Sequence, residues 1–259
     1  MPADGSPVRA APEGDRHGVD RPPGGPGSRH RLGLLVPSSN TVMEVDVYRR
    51  LPAGFTVHTG RMFLEETTPE GEAVMLDQYT MPAARDVGSA RPDVVVFGCT
   101  SAGALRGDDF DRELCARIAD ASGADVISTI ASVRTAIARR GASKVGVITP
   151  YVESLNDKIA ASLEADGLSV LGIHGLGIDE NFAIAEVPPE DIVAFAVDRF
   201  SGVDLDLLFA SCTNFHAIDA MSGIEDALGV PAVTSNHAVL EAVFERFDLP
   251  LSGTTPERV

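Results

Sequence analysis

Two thiols stand at matching places in the chain. Cys99 closes the run Pro92-Asp93-Val94-Val95-Val96-Phe97-Gly98 and is followed by Thr100 and Ser101. Cys212 closes Leu205-Asp206-Leu207-Leu208-Phe209-Ala210-Ser211 and is followed by Thr213 and Asn214. A thiol can give or take a proton, and as the thiolate it attacks carbon. A free thiol ionises near pH ~8.5. A place just ahead of a helix should lower that value, through free backbone N–H groups and the helix dipole. The same N–H groups would hold an anion. Thr100, Ser101, Thr213 and Asn214 add neutral donors suited to a carboxylate or an enediolate. One cysteine alone reads as readily as a small buried hydrophobe. The matched pair, each with a threonine beside it, points to chemistry, and Cys99 and Cys212 are expected to face each other across one small-molecule site.

Other polar residues fall where strands should end. Pro37-Ser38-Ser39-Asn40-Thr41 offers several donors ahead of a helix, which could bind a carboxylate or simply cap that helix. Tyr151 holds the equivalent place in the second half, where its phenol could bond a carboxylate. Asn181 follows Asp179-Glu180 in what reads as a loop. His216, four residues after Cys212, could help a proton move but reads first as a helix-start residue. Cys115, within the amphipathic stretch 110–119, reads as a buried helix residue. No Gly-x-Gly-x-x-Gly follows the first strand, and there is no Walker loop, no Gly-x-Ser-x-Gly elbow and no Cys-x-x-Cys pair. Neither a cofactor nor a metal is expected.

These residues must be positioned by strands and helices, and the pattern for them occurs twice. Strands are expected at 32–36, 55–59, 94–97 and 125–129. Helices are expected at 42–51, 72–89, 111–122 and 132–140, with a loop at 65–71. The second set has strands at 144–148, 169–173, 205–210 and 231–234, with helices at 153–166, 189–200, 218–228 and 237–247. Pro37 and Pro150 lie 113 positions apart, as do Cys99 and Cys212, and the last strands align at 106. A spacing held over three strands indicates a duplicated α/β unit. The fold expected is α/β: two pseudo-symmetric halves with mainly parallel sheets and the site between them. In such sheets ligands bind beyond the carboxyl ends of the strands.

Composition sets limits on partners. Hydrophobic residues make up 44% of the 259, enough for a substantial core. A net charge of -17 argues against nucleic acid and against anionic membranes as partners. No apolar run reaches the roughly 20 residues of a membrane span. With no secretory apolar stretch and three cysteines, a reduced cytoplasm is the expected location. Residues 1–29, rich in Pro, Gly, Arg and Asp, are expected to be a disordered tail.

Two halves, each with a strand-end cysteine, resemble the aspartate/glutamate racemase superfamily. The opening Pro37-Ser38-Ser39-Asn40-Thr41-Val42-Met43-Glu44 is similar to that of the branch holding maleate cis–trans isomerases, arylmalonate decarboxylases and an ectoine-utilisation protein. The resemblance spans about residues 31–250. It implies flavodoxin-like halves, residues 30–133 plus 235–259 and residues 134–234, with the last helix packing back on the first. It implies a small carboxylate substrate, and by analogy alone a homodimer. In maleate isomerases the first cysteine adds to the alkene, the succinyl adduct rotates and fumarate leaves, while the second cysteine handles protons. Those roles fall on Cys99 and Cys212, with Asn40, Tyr151 and Asn181 at the substrate carboxylates. Cys99-Thr100-Ser101 and Cys212-Thr213-Asn214 depart from the racemases' Cys-Asn-Thr and Cys-Thr-His. Arylmalonate decarboxylases keep only the second cysteine. The expected activity is cofactor-independent isomerisation of maleate to fumarate; the alternative is a two-thiol racemase or decarboxylase-like enzyme on a related small acid, ectoine utilisation included.

Overall fold

Each half of the chain builds a four-stranded, all-parallel sheet, and the two sheets share one strand order. The structure is a computed structural model that describes residues 30–251. The tail expected at 1–29 lies outside the described residues. The first sheet comprises β1 (His30–Pro37), β2 (Phe55–Met62), β3 (Val94–Phe97) and β4 (Val126–Ser128), ordered β2-β1-β3-β4. Its helices are α1 (Met43–Arg50), α2 (Pro69–Val74), α3 (Thr80–Gly88), α4 (Thr100–Leu105), α5 (Asp108–Ser122) and α6 (Thr129–Arg139). The second sheet comprises β5 (Lys144–Thr149), β6 (Ser169–Gly175), β7 (Leu207–Ala210) and β8 (Ala232–Thr234), ordered β6-β5-β7-β8. With it run α7 (Glu153–Ala165), α8 (Asn181–Ile184), α9 (Pro189–Phe200), α10 (Ala217–Leu228) and α11 (Ser235–Arg246).

This order explains where polar residues gather. In each sheet the chain runs outward from the first strand to the second, then crosses back to the third. The crossing leaves a crevice beyond the carboxyl ends of β1 and β3, and another beyond β5 and β7. The Ser38-Ser39-Asn40 loop follows β1 and Cys99 follows β3. Tyr151 follows β5 and Cys212 follows β7. Strands β3 and β7 are buried along their whole length, which is why they read as unbroken apolar runs.

The last helix of each half crosses to the other. In α6, Ile130, Val133, Ala136 and Ile137 join the core of the second sheet. In α11, Val239, Leu240, Val243 and Phe244 pack with Leu34, Val36, Val47 and Val96 of the first. Helix α6 therefore runs through the boundary expected between 133 and 134. Among the described residues no helix is long and apolar enough to cross a membrane.

Three expectations change in detail. The helix expected from Glu72 starts at Pro69, because Thr68 caps it by accepting from the Gly71 N–H at 3.1 Å. It continues through a π turn at Met75–Tyr79 into α3, with the Thr80 hydroxyl donating to the Met75 carbonyl at 3.1 Å. Helix α4 begins directly after Cys99, where a helix start is expected, but its bounds do not show in the sequence, since six residues, most of them small, carry little apolar periodicity. Asn181 opens α8 instead of lying in a loop.

Gly98 joins β3 to Cys99 where no side chain fits. A Cβ there would lie 2.6 Å from Met43 Sδ and 2.8 Å from the Leu35 carbonyl oxygen. Gly98→Ala should therefore destabilise the protein by about 1–3 kcal/mol through overpacking. Urea unfolding checks this; an unchanged midpoint would contradict the packing described.

Candidate active site

The two cysteine loops are tied to each other by buried hydrogen bonds. The Thr213 hydroxyl donates to the Gly98 carbonyl at 3.1 Å and accepts from Asn40 Nδ2 at 3.1 Å. Ser235, the first residue of α11, accepts from the Thr100 hydroxyl at 2.8 Å and from the Cys212 backbone N–H at 3.1 Å. Asn236 Nδ2 donates to the Thr213 carbonyl at 3.0 Å and to Asp46 Oδ2 at 2.8 Å. All of these polar side chains are buried. Leaving one such group without its partner costs about 1–3 kcal/mol, so the residues flanking each sulfur are held in place by the opposite loop.

Each thiol has its own local frame. Cys99 is the N-cap of α4, and its sulfur accepts from the Ala102 N–H and lies 3.9 Å from the Ser101 hydroxyl. Cys212 has a φ of 142°, a backbone region that side chains rarely adopt. Its sulfur accepts from the Asn214 N–H at 3.3 Å and from the Tyr151 hydroxyl. Cys212 is followed by an irregular turn, with α10 starting only at Ala217, so no helix N-terminus lies immediately behind it.

The remaining expected residues line the same seam. Asn40 Oδ1 accepts from the Val42 and Met43 N–H groups at 3.1 and 3.0 Å, and one Nδ2 hydrogen is spent on Thr213. Asn214 Oδ1 accepts from the Thr41 N–H at 2.9 Å, and its Nδ2 donates to the Asn181 carbonyl at 2.6 Å. Asn181 Nδ2 donates to the Ser39 hydroxyl at 2.8 Å. The Thr67 N–H donates to the Asp179 carbonyl at 2.7 Å. Contacts from both halves thus close over the site. His216 stays outside this network as the N-cap of α10, 3.9 Å from Asp219. Cys115 is half-buried on α5.

The expected lowering of the thiol pKa is overturned. Burial pushes Cys99 well above the usual thiol value, and the charges of Glu72 and Cys212 push the same way. Burial likewise pushes Cys212 up to about 12, although the Tyr151 hydroxyl opposes this. Tyr151 is raised well above its ordinary value, first by burial and then by the two thiols. A helix dipole acting through a single short turn does not offset removal from water. The Tyr151 hydroxyl bonds the Cys212 sulfur and Thr213 bonds the Gly98 carbonyl, so the loops that carry Cys99, Cys212 and Tyr151 are joined.

Sequence reasoning missed three members. Ser235 and Asn236 follow β8 at a strand end, the feature that singled out the cysteines. Glu72 is fully buried and takes a hydrogen bond from Ser101. Its signal was positional: Met75 and Leu76, three and four residues on, are both buried, so a carboxylate lies on the apolar face of its helix. Among the described residues no group of three His, Cys, Asp or Glu side chains could hold a metal ion.

Comparison with known proteins agrees with this fold. The family model described as arylmalonate decarboxylase matches residues 32–258. Maleate isomerase of Alcaligenes faecalis is 29% identical over 221 residues, covering 80% of this chain and 86% of its own. Arylmalonate decarboxylase of Bordetella bronchiseptica is 28% identical over 208 residues, covering 80% and 86%. Maleate cis–trans isomerase of Nocardia farcinica, solved as a cysteine-to-serine mutant with a covalently bound succinylcysteine intermediate, superposes with a TM-score of 0.78 at 26% identity. That match covers 85% of this chain and 93% of the other. With a duplicated fold and a match running from the first strand past the last helix, the chain belongs to the arylmalonate decarboxylase family, in the branch that includes the maleate isomerases.

Proposed function

We propose that this protein is a cofactor-independent cis–trans isomerase of a small dicarboxylate, converting maleate to fumarate through an adduct on Cys99. One observation carries the reading: Thr213, beside Cys212, donates to the carbonyl of Gly98, beside Cys99, so two buried thiols from different halves stand on loops that touch. The relative solved with a succinylcysteine shows that this fold supports such an adduct in that protein.

The chemistry follows from the arrangement. Cys99 sulfur forms a bond to one alkene carbon as the C=C π pair moves toward the adjacent carboxylate. The neighbouring carbon takes a proton from Cys212, and the proton of Cys99 passes to Cys212 in exchange. In net terms S and H add across the alkene. The new C–C single bond turns; Cys212 then gives its proton to the Cys99 sulfur as the C–S bond breaks and takes the proton from the neighbouring carbon, which leaves the trans alkene and both thiols protonated. Asn40, Tyr151 and Asn181 are assigned to the carboxylates, and the donors of Thr100, Ser101, Thr213 and Asn214 to the charge that builds in the intermediate. Burial keeps both thiols neutral before substrate arrives, so the sulfur becomes a nucleophile as its proton leaves in the same site.

Thiols on opposite sides of one substrate would also suit a racemase, with one removing and one returning an α-proton. That chemistry exchanges substrate hydrogen with solvent and forms no adduct.

Incubation with maleate should yield fumarate, followed by loss of the maleate spectrum and by NMR. Cys99→Ala should lower the rate by about 10³-fold or more, as expected for a lost nucleophile. Cys212→Ser should slow turnover by roughly 10²–10⁴-fold and accumulate protein heavier by one maleic acid at Cys99 in the mass spectrum. Solvent-exchanged substrate without that adduct would favour the racemase.

The thiols also set a pH dependence of stability. The unfolded chain releases thiol protons above about pH 8.5, whereas the folded chain retains them because burial raises each pKa. Stability should therefore fall as pH rises from 8 to 10. Thiolate absorbance near 240 nm should stay low in the native protein over that range and appear on unfolding in urea. A native thiolate step near the ordinary thiol value would contradict this.

A further inference from the structure

The side chain the mechanism leaves unused is Glu72. It is completely buried, and the Ser101 hydroxyl ties it to the turn that carries Cys99. One carboxyl oxygen, Oε1, accepts from the Ser101 hydroxyl, which itself lies 3.9 Å from the Cys99 sulfur. The other, Oε2, is buried with no hydrogen-bond partner. A buried polar atom without a partner needs one, and a ligand atom can supply it. Helix α2 packs against α4, which aims Glu72 at the same short turn that carries Cys99.

We propose that Glu72 is a substrate-binding residue that works as a neutral carboxylic acid, its Oε2 hydrogen donated to a carboxylate oxygen of the bound dicarboxylate. The proposal rests on the small-dicarboxylate reading above. Its physical basis is the company Glu72 keeps. The titratable groups it faces are two thiols and a phenol, all held neutral by burial. Nearby, Asp77 on the π turn and Arg106 at the end of α4 pair with each other at 2.7 Å on the surface. Thr67, in the segment leading to α2, is buried with an unpartnered hydroxyl. An ionised Glu72 would stand beside a dianion away from water, which costs heavily. The protonated acid instead supplies one more donor. Burial raises the Glu72 pKa to about 8, against the opposing pull of Ser101. At neutral pH the acid form therefore prevails, and it is lost as pH climbs through that value.

The consequence is a binding step that fails in alkali although the thiols remain protonated. Succinate, which has no alkene to react, serves as the probe. Its affinity is measured by calorimetry from pH 6.5 to 9.5 for the wild type, Glu72→Gln and Glu72→Leu, with melting curves to verify folding. Wild-type affinity should weaken by about thirty-fold across that range, the fraction of protonated acid expected for a pKa near 8. Glu72→Gln keeps an N–H donor and should bind within about threefold of wild type at pH 6.5, with little change at pH 9.5. Glu72→Leu should bind about tenfold more weakly at pH 6.5.

A wild-type affinity that ignores pH, an equal alkaline loss in Glu72→Gln, tight binding by Glu72→Leu or no succinate binding at all would each overturn the proposal. Binding that tightens as pH rises would also overturn it, because it would mean that ionised Glu72 receives a donor from the ligand. Should Glu72→Leu fail to fold, the Gln comparison decides alone. Maleate turnover is followed in parallel: pH-dependent succinate binding without fumarate formation would sink the isomerase reading and leave the role of Glu72 standing.

Discussion

The hydroxyl of Thr213 holds the two cysteine loops together. It donates to the carbonyl of Gly98, the residue before Cys99, and accepts from the side chain of Asn40. Ser235 completes the tie by linking Thr100 to the backbone of Cys212. Every partner lies away from water, so a shift of either loop would strand several polar groups at once. The crossed helices α6 and α11 give the same result with apolar contacts, because each half completes the other's core. Two sheets that would otherwise be free to slide are therefore fixed where their crevices meet.

That closure sets the electrostatics. A thiol at a helix start is usually read as an activated thiolate, but here burial outweighs the short helix and both sulfurs stay protonated. The same burial keeps Tyr151 and Glu72 in their neutral forms. The site is thus a set of donors with little charge of its own. Such a set suits an anionic ligand, which finds hydrogen bonds without meeting like charge. The strained φ at Cys212 fits this picture, since the loop holds its sulfur against the Tyr151 hydroxyl at a cost of about 1–3 kcal/mol.

Much of this was legible in the residues. Buried parallel strands have a plain signature, and Val94–Phe97 emerged with the bounds expected for it. The 113-residue spacing of the cysteines reappears as two sheets of identical order, with Cys99 and Cys212 at equivalent strand ends. Helix starts were harder to place. Thr68 moved one start by three residues through a cap, and α4 is too short and too rich in small residues to show a period. Glu72 was hidden because a carboxylate among apolar neighbours reads as a surface residue until its helix face is known. Ser235 was hidden because its partners lie 135 and 23 residues away in sequence. The direction of the thiol shifts was misread because local sequence reports a helix dipole and says nothing about burial by the opposite half.

The central claim is that both sulfurs attend one substrate at the seam between the halves. A crystal structure of the Cys212→Ser variant soaked with maleate tests it most directly. Electron density should run unbroken from Cys99 Sγ to a substrate carbon, with the hydroxyl that replaces the second thiol facing the adjacent carbon and the carboxylates against Asn40, Tyr151 and Asn181. Maleate bound away from Cys99, or lying between residues of one half alone, would contradict it.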